Sequence, residues 1–147
     1  MVRLKINSVL VLCTANVCRS PIGEHLLRRF LPEIKVHSAG IFGLVGQPAN
    51  PTAIEVASRH GLYLTSHIAR RFNPIMIRQY DLILTMEPWH TEWINVLAPE
   101  VRGKNLLFGH WLNRKKIPDP YRKNHEEFEK VYSLLERASQ EWAIRIN

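Results

Sequence analysis

The chain has 147 residues, 46% of them hydrophobic and 22% charged, which suggests a single globular domain spanning residues 1–147 with its own core. Its formal net charge of +7 predicts attraction to anions such as nucleic acid, acidic membranes or phosphorylated proteins. The basic residues are dispersed without interleaved aromatic residues, and no stretch approaches the ~20 apolar residues of a membrane-spanning helix, so we expect neither nucleic-acid binding nor membrane insertion.

The cysteine and histidine content excludes several kinds of site. Two cysteines, Cys13 and Cys18, are too few for a disulfide-stapled fold or a four-cysteine zinc site. The seven histidines form no pair with metal-ligand spacing, so we predict neither a metal nor a cofactor. The apolar run after Met1–Asn7 is too short for a signal peptide, which predicts a buried first strand in a cytoplasmic protein.

The first half of the chain predicts strand, helix, strand and helix in turn: Ser8–Leu12, Pro21–Leu31, Ile34–Ala39 and Pro51–His60. The first strand is rich in β-branched residues and leucine, which is typical of a strand buried on both faces. Ser20 stands before a proline and is the predicted N-cap of the first helix. Gly61 is the predicted C-cap of the second.

The second half continues the alternation, with Asp81–Met86 as a strand, Pro88–Leu97 as a helix and Asn105–Phe108 as a short strand. Asn113–Lys123 contains two prolines and many charges, which predicts a loop. Glu126–Ile146 is a long amphipathic helix. Its predicted apolar face consists of Phe128, Val131, Leu134, Leu135, Ala138, Trp142 and Ile146.

Strands that alternate with helices predict an α/β fold, a three-layer domain in which helices flank a four-stranded parallel sheet. Ligands of such folds bind beyond the carboxyl ends of the strands. The first strand leads at that end into the segment Cys13–Ser20, after which a helix begins.

This segment has the features of a phosphate-binding loop between strand 1 and helix 1. Successive backbone N–H groups and a helix N-terminus together make an anion site. The predicted phosphate-binding residues are Thr14, Ala15, Asn16, Val17, Cys18 and Arg19. The guanidinium of Arg19 can take two phosphate oxygens at once. The positive field that attracts phosphate also favours a thiolate, which makes Cys13 a candidate nucleophile. Without the surrounding strand and helix, Cys13 could equally be a buried cysteine at the end of a strand, and Arg19 a surface charge.

The segment from Val11 to Pro21 resembles the signature of the low-molecular-weight protein tyrosine phosphatases. The likeness continues in Ser38-Ala39-Gly40, Ser66–Arg70, Tyr80–Met86 and Asp119-Pro120-Tyr121, and covers essentially the whole chain. Through Leu107–Trp111 and Ile117–Lys123, the chain is most similar to the bacterial branch linked to capsule and exopolysaccharide production.

The resemblance implies that Cys13 attacks phosphorus and forms a phosphocysteine intermediate, and that Arg19 binds the equatorial oxygens. Asp119 would protonate the departing tyrosine oxygen and later deprotonate water; the residues alone would favour an ordinary turn aspartate. The implied loop supports are Asn16, Ser20, Ser38 and His67. The substrate ring would be contacted by Tyr121 on one side of the pocket and by a residue after Gly40 on the other. Phe42 and Leu44 are the candidates for this second wall, and we favour Leu44.

Two residues of the loop leave questions open. Cys18 could form a protective disulfide with Cys13 under oxidation, or could be a buried and inert thiol. Ala15 occupies a position where the family usually has glycine. If that position needs a positive φ, alanine costs roughly 1 kcal/mol.

Two other functions fit the same loop. A thiol-dependent arsenate reductase needs further redox cysteines, and this chain has none outside the loop. A phosphotyrosine-binding module without activity should have lost Cys13, Arg19 or Asp119, and all three are present. The resemblance therefore favours a metal-free phosphatase whose partner is a phosphotyrosine protein, namely a bacterial tyrosine autokinase with a tyrosine-rich tail.

Overall fold

In the computed structural model of the chain, residues 5–146 are described; residues 1–4 and 147 of the expected domain lie outside them. The strands are β1 (Ser8–Cys13), β2 (Lys35–Gly40), β3 (Leu82–Thr85) and β4 (Asn105–Leu107). The helices are α1 (Arg19–Phe30), α2 (Pro51–Arg59), α3 (Pro74–Arg78), α4 (Pro88–Leu97) and α5 (His125–Arg145), with a 3₁₀ helix at Pro99–Lys104. All eight predicted elements are found, with ends that differ by a few residues, whereas α3 and the 3₁₀ helix were not predicted.

The four strands form one parallel sheet in the order β2-β1-β3-β4. Its central strand, β1, alternates between two cores, as a strand buried on both faces must. Val9 and Val11 face one core, which α1, α2 and α5 complete, while Leu10 and Leu12 face a second core with residues of α3 and α4. The predicted three-layer α/β fold is confirmed.

The ends of two helices follow from local sequence. Asn50 caps α2 by accepting from the N–H groups of Thr52 and Ala53 at 2.9 and 3.2 Å. The same helix ends at Arg59 with His60 as its C-cap, one residue before the predicted Gly61. Gly61 follows the cap with φ of 75°, a conformation that glycine takes without strain.

The long helix α5 packs against α1 and α2 and covers one face of the sheet. Its apolar face contains Tyr132, which was not predicted, whereas Leu134 is only partly buried. The indole N–H of Trp142 donates to the carbonyl of Phe108 at 2.8 Å, which ties α5 to the segment that follows β4. Among residues 5–146, no helix combines the length and apolar content needed to cross a bilayer.

Candidate active site

The loop between β1 and α1 forms the floor of a pocket of about 280 Å³ at the carboxyl edge of the sheet. Cys13 ends the central strand and Arg19 begins α1, and both are almost fully buried. The residues that line the pocket are Cys13, Thr14, Ala15, Val17, Cys18, Arg19, Leu44, Asp119 and Tyr121. The structure therefore brings the three predicted catalytic residues and both predicted walls to one cavity.

The sulfur of Cys13 lies within reach of two hydrogen-bond donors. The backbone N–H of Asn16 donates to it at 3.3 Å, and the hydroxyl oxygen of Ser20 lies 3.0 Å away. Because the Ser20 oxygen already accepts from the Asn16 amide at 2.8 Å, its hydrogen is free to point at the sulfur. Both contacts place a hydrogen-bond donor at the sulfur.

The prediction that Ser20 is the N-cap of α1 is wrong. Cys18 occupies that position, with φ of −117° and ψ of −72°, and makes no side-chain capping hydrogen bond. Ser20 is the second residue of the helix, and its hydroxyl is used by the Cys13 sulfur instead. Without a capping side chain, the first N–H groups of α1 remain available to an anion.

Asn16 holds the loop against its surroundings from a fully buried position. Its amide nitrogen donates to the hydroxyls of Ser20 and Ser38 at 2.8 and 2.9 Å, and its amide oxygen accepts from the backbone N–H of Arg70 at 2.9 Å. Nε2 of His67 donates to the Asn16 carbonyl at 2.7 Å. Burial lowers the pKa of His67, which favours the neutral ring. The structure thus brings together all four predicted loop supports.

The positive φ that would strain Ala15 is not found at that position. The residue with a positive φ in this loop is Asn16, at 62°, a conformation in which asparagine is enriched. The Ala15 carbonyl accepts from the backbone N–H of Leu44 at 3.1 Å, which joins the loop to the segment that follows β2. Gly40 makes the close approach instead, because a Cβ there would lie 2.8 Å from the Ala15 carbonyl carbon.

Arg19 is held in place by partners on both of its terminal nitrogens. Nη1 donates to the carboxylate of Glu87 at 2.7 Å and to the carbonyl of Ile117 at 2.8 Å. Nη2 donates to Oγ1 of Thr14 at 3.3 Å and lies 3.7 Å from Oδ2 of Asp119. The guanidinium is therefore oriented before any ligand arrives, which lowers the cost of ordering it on binding.

Sequence reasoning missed Glu87 and His90, which contact Arg19 and Thr14 from the N-terminal end of α4. Glu87 comes two residues after the end of β3, at the edge of the sheet where ligands bind. This position in the sequence was the signal that could have identified it as a site residue. Nδ1 of His90 accepts from the Glu87 N–H at 3.1 Å, and Nε2 lies 3.0 Å from Oγ1 of Thr14. Burial and the charge of Arg19 lower the pKa of His90 to about 3, which keeps the ring neutral at ordinary pH.

The outer part of the pocket is more exposed than its floor. The side chain of Asp119 is 46% exposed, and its Oδ1 accepts from the backbone N–H of Tyr121 at 3.1 Å. Leu44 and Tyr121 line the pocket. The alternative wall residue, Phe42, stacks on Trp89 with ring centroids 6.4 Å apart and does not line the pocket.

Cys18 is buried, and both thiols of the chain are free. Burial, with the nearby Cys13 and Asp119, raises the pKa of Cys18 to about 12. While Cys13 is reduced, a thiol that stays protonated is a poor nucleophile.

Comparisons with known proteins agree with this geometry. The family model described as low molecular weight phosphotyrosine protein phosphatase matches residues 8–147. The low molecular weight protein-tyrosine-phosphatase Etp of Escherichia coli strain K12 is 58% identical over 147 residues, which cover 100% of this chain and 99% of that protein.

Two crystal structures extend the similarity to the fold. The tyrosine phosphatase Wzb from Escherichia coli K30, in complex with sulphate, is 55% identical with a TM-score of 0.92, covering 95% of this chain and 97% of that one. The Erwinia amylovora tyrosine phosphatase AmsI is 47% identical with a TM-score of 0.93, covering 97% and 94% respectively. The chain therefore belongs to the low molecular weight phosphotyrosine protein phosphatase family.

Proposed function

We propose that this tyrosine phosphatase hydrolyses phosphotyrosine through a phosphocysteine intermediate at Cys13, and that its substrate is a bacterial tyrosine autokinase that controls exopolysaccharide production. The observation that carries the chemical part is the convergence of Cys13, Arg19 and Asp119 on one pocket of about 280 Å³. The apolar side chain of Leu44 and the ring of Tyr121 form its walls, which suits a flat aryl phosphate.

In the first step, the Cys13 thiolate attacks phosphorus from the floor of the pocket. The sulfur–phosphorus bond forms as the bond from phosphorus to the tyrosine oxygen breaks. Asp119, in its protonated form, gives its proton to that oxygen. Arg19 and the backbone N–H groups of the loop bind the nonbridging oxygens, where they stabilise the charge of the transition state.

In the second step, Asp119 acts in the opposite direction. Its carboxylate takes a proton from water, the water oxygen attacks phosphorus, and the sulfur–phosphorus bond breaks to return the electron pair to Cys13. Inorganic phosphate leaves, and both residues are back in their starting states. In both steps Arg19 stabilises the negative charge on the phosphoryl group. The orientation of its guanidinium is fixed by hydrogen bonds to Glu87 and Ile117.

The alternative of an arsenate reductase receives no support from the residues around the pocket. Such a reaction needs thiols to relay electrons, and the chain has only Cys13 and Cys18, both in the loop. The chemistry of Cys18 also argues against a relay, because burial raises the pKa of its thiol to about 12.

The test of the chemical part is hydrolysis of p-nitrophenyl phosphate in the presence of EDTA. We expect Cys13→Ser to abolish activity and Asp119→Ala to lower kcat by about 100-fold or more, which is the typical effect of removing a general acid. Asp81→Asn is a matched control, because Asp81 precedes β3 at the opposite edge of the sheet and accepts from the Asn7 N–H. Rapid quenching of the wild type should give a protein heavier by one phosphoryl group, with the group on Cys13. Normal activity in Cys13→Ser would overturn the mechanism.

The proposed partner is supported by the resemblance to the exopolysaccharide-linked branch and by the net charge of +7, which attracts an anionic phosphorylated tail. A cytoplasmic location, where such a tail would lie, remains a prediction from the sequence. The test is to incubate the enzyme with a phosphorylated autokinase from the same bacterium and to follow each phosphotyrosine by mass spectrometry. Faster loss from the autokinase tail than from an unrelated phosphotyrosine protein of equal charge would support the proposal, and equal rates would refute it.

A further inference from the structure

Thr14 is the first residue after the nucleophile, and its side chain lies in an unusual hydrogen-bonding position. The residue lines the phosphate pocket. Its Oγ1 is 3.3 Å from Nη2 of Arg19 and 3.0 Å from Nε2 of His90. Together with Glu87, these residues form a closed ring in which each member contacts the next.

The direction of each hydrogen bond in this ring follows from its chemistry. A backbone N–H can only donate, so the contact from Glu87 N to Nδ1 of His90 leaves Nδ1 without a proton. The neutral ring then carries its proton on Nε2 and donates it to Oγ1 of Thr14. His90 is fully buried, so water does not compete for either ring nitrogen.

Thr14 therefore accepts two hydrogen bonds, one from His90 and one from Arg19, because a guanidinium can only donate. A hydroxyl has two lone pairs and one hydrogen, and both lone pairs are now used. The hydrogen must point away from both donors, and the residue that carries it lines the phosphate cavity. Two donors on the oxygen also strengthen the hydrogen bond that the hydroxyl can give.

We propose that the Thr14 hydroxyl donates its hydrogen to a nonbridging oxygen of the bound phosphoryl group, and that His90 is the positioning residue that fixes this hydroxyl. The inference rests on the proposed function, because it takes the pocket to be the site of the phosphoryl group. It adds a side-chain donor to the backbone N–H groups and Arg19, and it gives a purpose to the buried neutral histidine on α4.

The first experiment measures the affinity of inorganic phosphate by calorimetry, which requires no turnover. Thr14→Val removes the hydroxyl but keeps the shape of the side chain, whereas Thr14→Ser keeps the hydroxyl. Since a hydrogen bond to a charged group is among the stronger ones, we expect Thr14→Val to weaken phosphate binding about tenfold and Thr14→Ser to stay within about twofold of wild type. Equal affinity in Thr14→Val and wild type would overturn the proposal, as would equal losses in both variants.

A double-mutant cycle separates positioning by His90 from a general structural role. If His90 acts through Thr14, His90→Gln should weaken phosphate binding several-fold in the wild-type background and have little effect in Thr14→Val. The same loss in both backgrounds would overturn the role of His90. Circular dichroism and thermal unfolding check that each variant folds. If His90→Gln does not fold, the comparison of Thr14→Val with Thr14→Ser still tests the role of the hydroxyl. A wild type that binds phosphate but does not hydrolyse p-nitrophenyl phosphate would instead refute the proposed function.

Discussion

Asn16 illustrates how much one residue does in this loop. It is the member of the loop with a positive φ, and its side chain makes three hydrogen bonds, to Ser20, Ser38 and the backbone of Arg70. A left-handed backbone usually favours glycine. Asparagine tolerates that conformation better than most other residues and supplies donors and an acceptor that glycine lacks.

Two substitutions at Asn16 separate the backbone from the side chain. Asn16→Gly keeps a backbone suited to a positive φ but loses three buried hydrogen bonds, so we expect the free energy of unfolding to fall by about 3 kcal/mol. Asn16→Ala loses the same bonds and adds about 1 kcal/mol of backbone strain. Both should lower kcat/KM at least tenfold, since the loop loses its anchors. Urea unfolding measures the stability difference, and equal stability of the two variants would contradict the backbone argument.

The regular elements could be read from the sequence where their pattern is long or strongly apolar. The strand at Leu82–Thr85 and the amphipathic α5 are examples. The helix Pro74–Arg78 could not be predicted, because five residues are too few to show a helical period. Ser20 was wrongly predicted as the N-cap because the capping rule expects a side chain to accept from the first N–H groups of a helix. In this chain no side chain caps those N–H groups of α1.

The candidate site was predictable only where its residues are contiguous or carry a family motif. Cys13, Arg19 and Asp119 belong to such motifs, and the structure places them together. Glu87 and His90 lie about 70 residues further along the chain than the loop, and their role depends on distances that no local pattern encodes.

At the level of elements, the site depends on how closely β2 approaches the loop. A Cβ on Gly40 would lie 2.8 Å from the Ala15 carbonyl carbon and 2.9 Å from the Asn16 nitrogen, so the loop would have to move. We expect Gly40→Ala to lower the free energy of unfolding by about 1–3 kcal/mol and to lower kcat/KM at least tenfold. Gly103→Ala is the matched control, because a Cβ there meets nothing within 4 Å. A Gly40→Ala variant as active as this control would show that the loop tolerates displacement.

For the molecule as a whole, four histidines that are partly or fully buried predict an acid-sensitive fold. Burial lowers the pKa of His37, His67, His90 and His110 below the ordinary value of 6.5. The unfolded chain then binds more protons near pH 6.5 than the folded chain does, so stability falls as the pH drops below that value.

The contribution of His90 can be isolated, because its folded pKa of about 3 leaves it unprotonated across the measured range. From about pH 7 to about pH 5, the wild type should lose about 2 kcal/mol more stability than His90→Gln, whose glutamine does not titrate. Urea unfolding at several pH values provides the measurement. Parallel pH profiles for the two proteins would mean that His90 is protonated in the folded state.

The three residues of the proposed mechanism are attached to the protein in different ways. Cys13 and Arg19 belong to a central strand and a core-packed helix, whereas Asp119 lies in the mostly exposed segment 113–124. In the proposed mechanism, substitutions at the exposed positions of that segment would change how a proton reaches the departing oxygen. The buried Ile117 is different, because its carbonyl accepts from Arg19 and so belongs to the proposed phosphate site. Relatives that share the loop can therefore diverge in leaving-group preference through exposed positions alone, at little expense to folding.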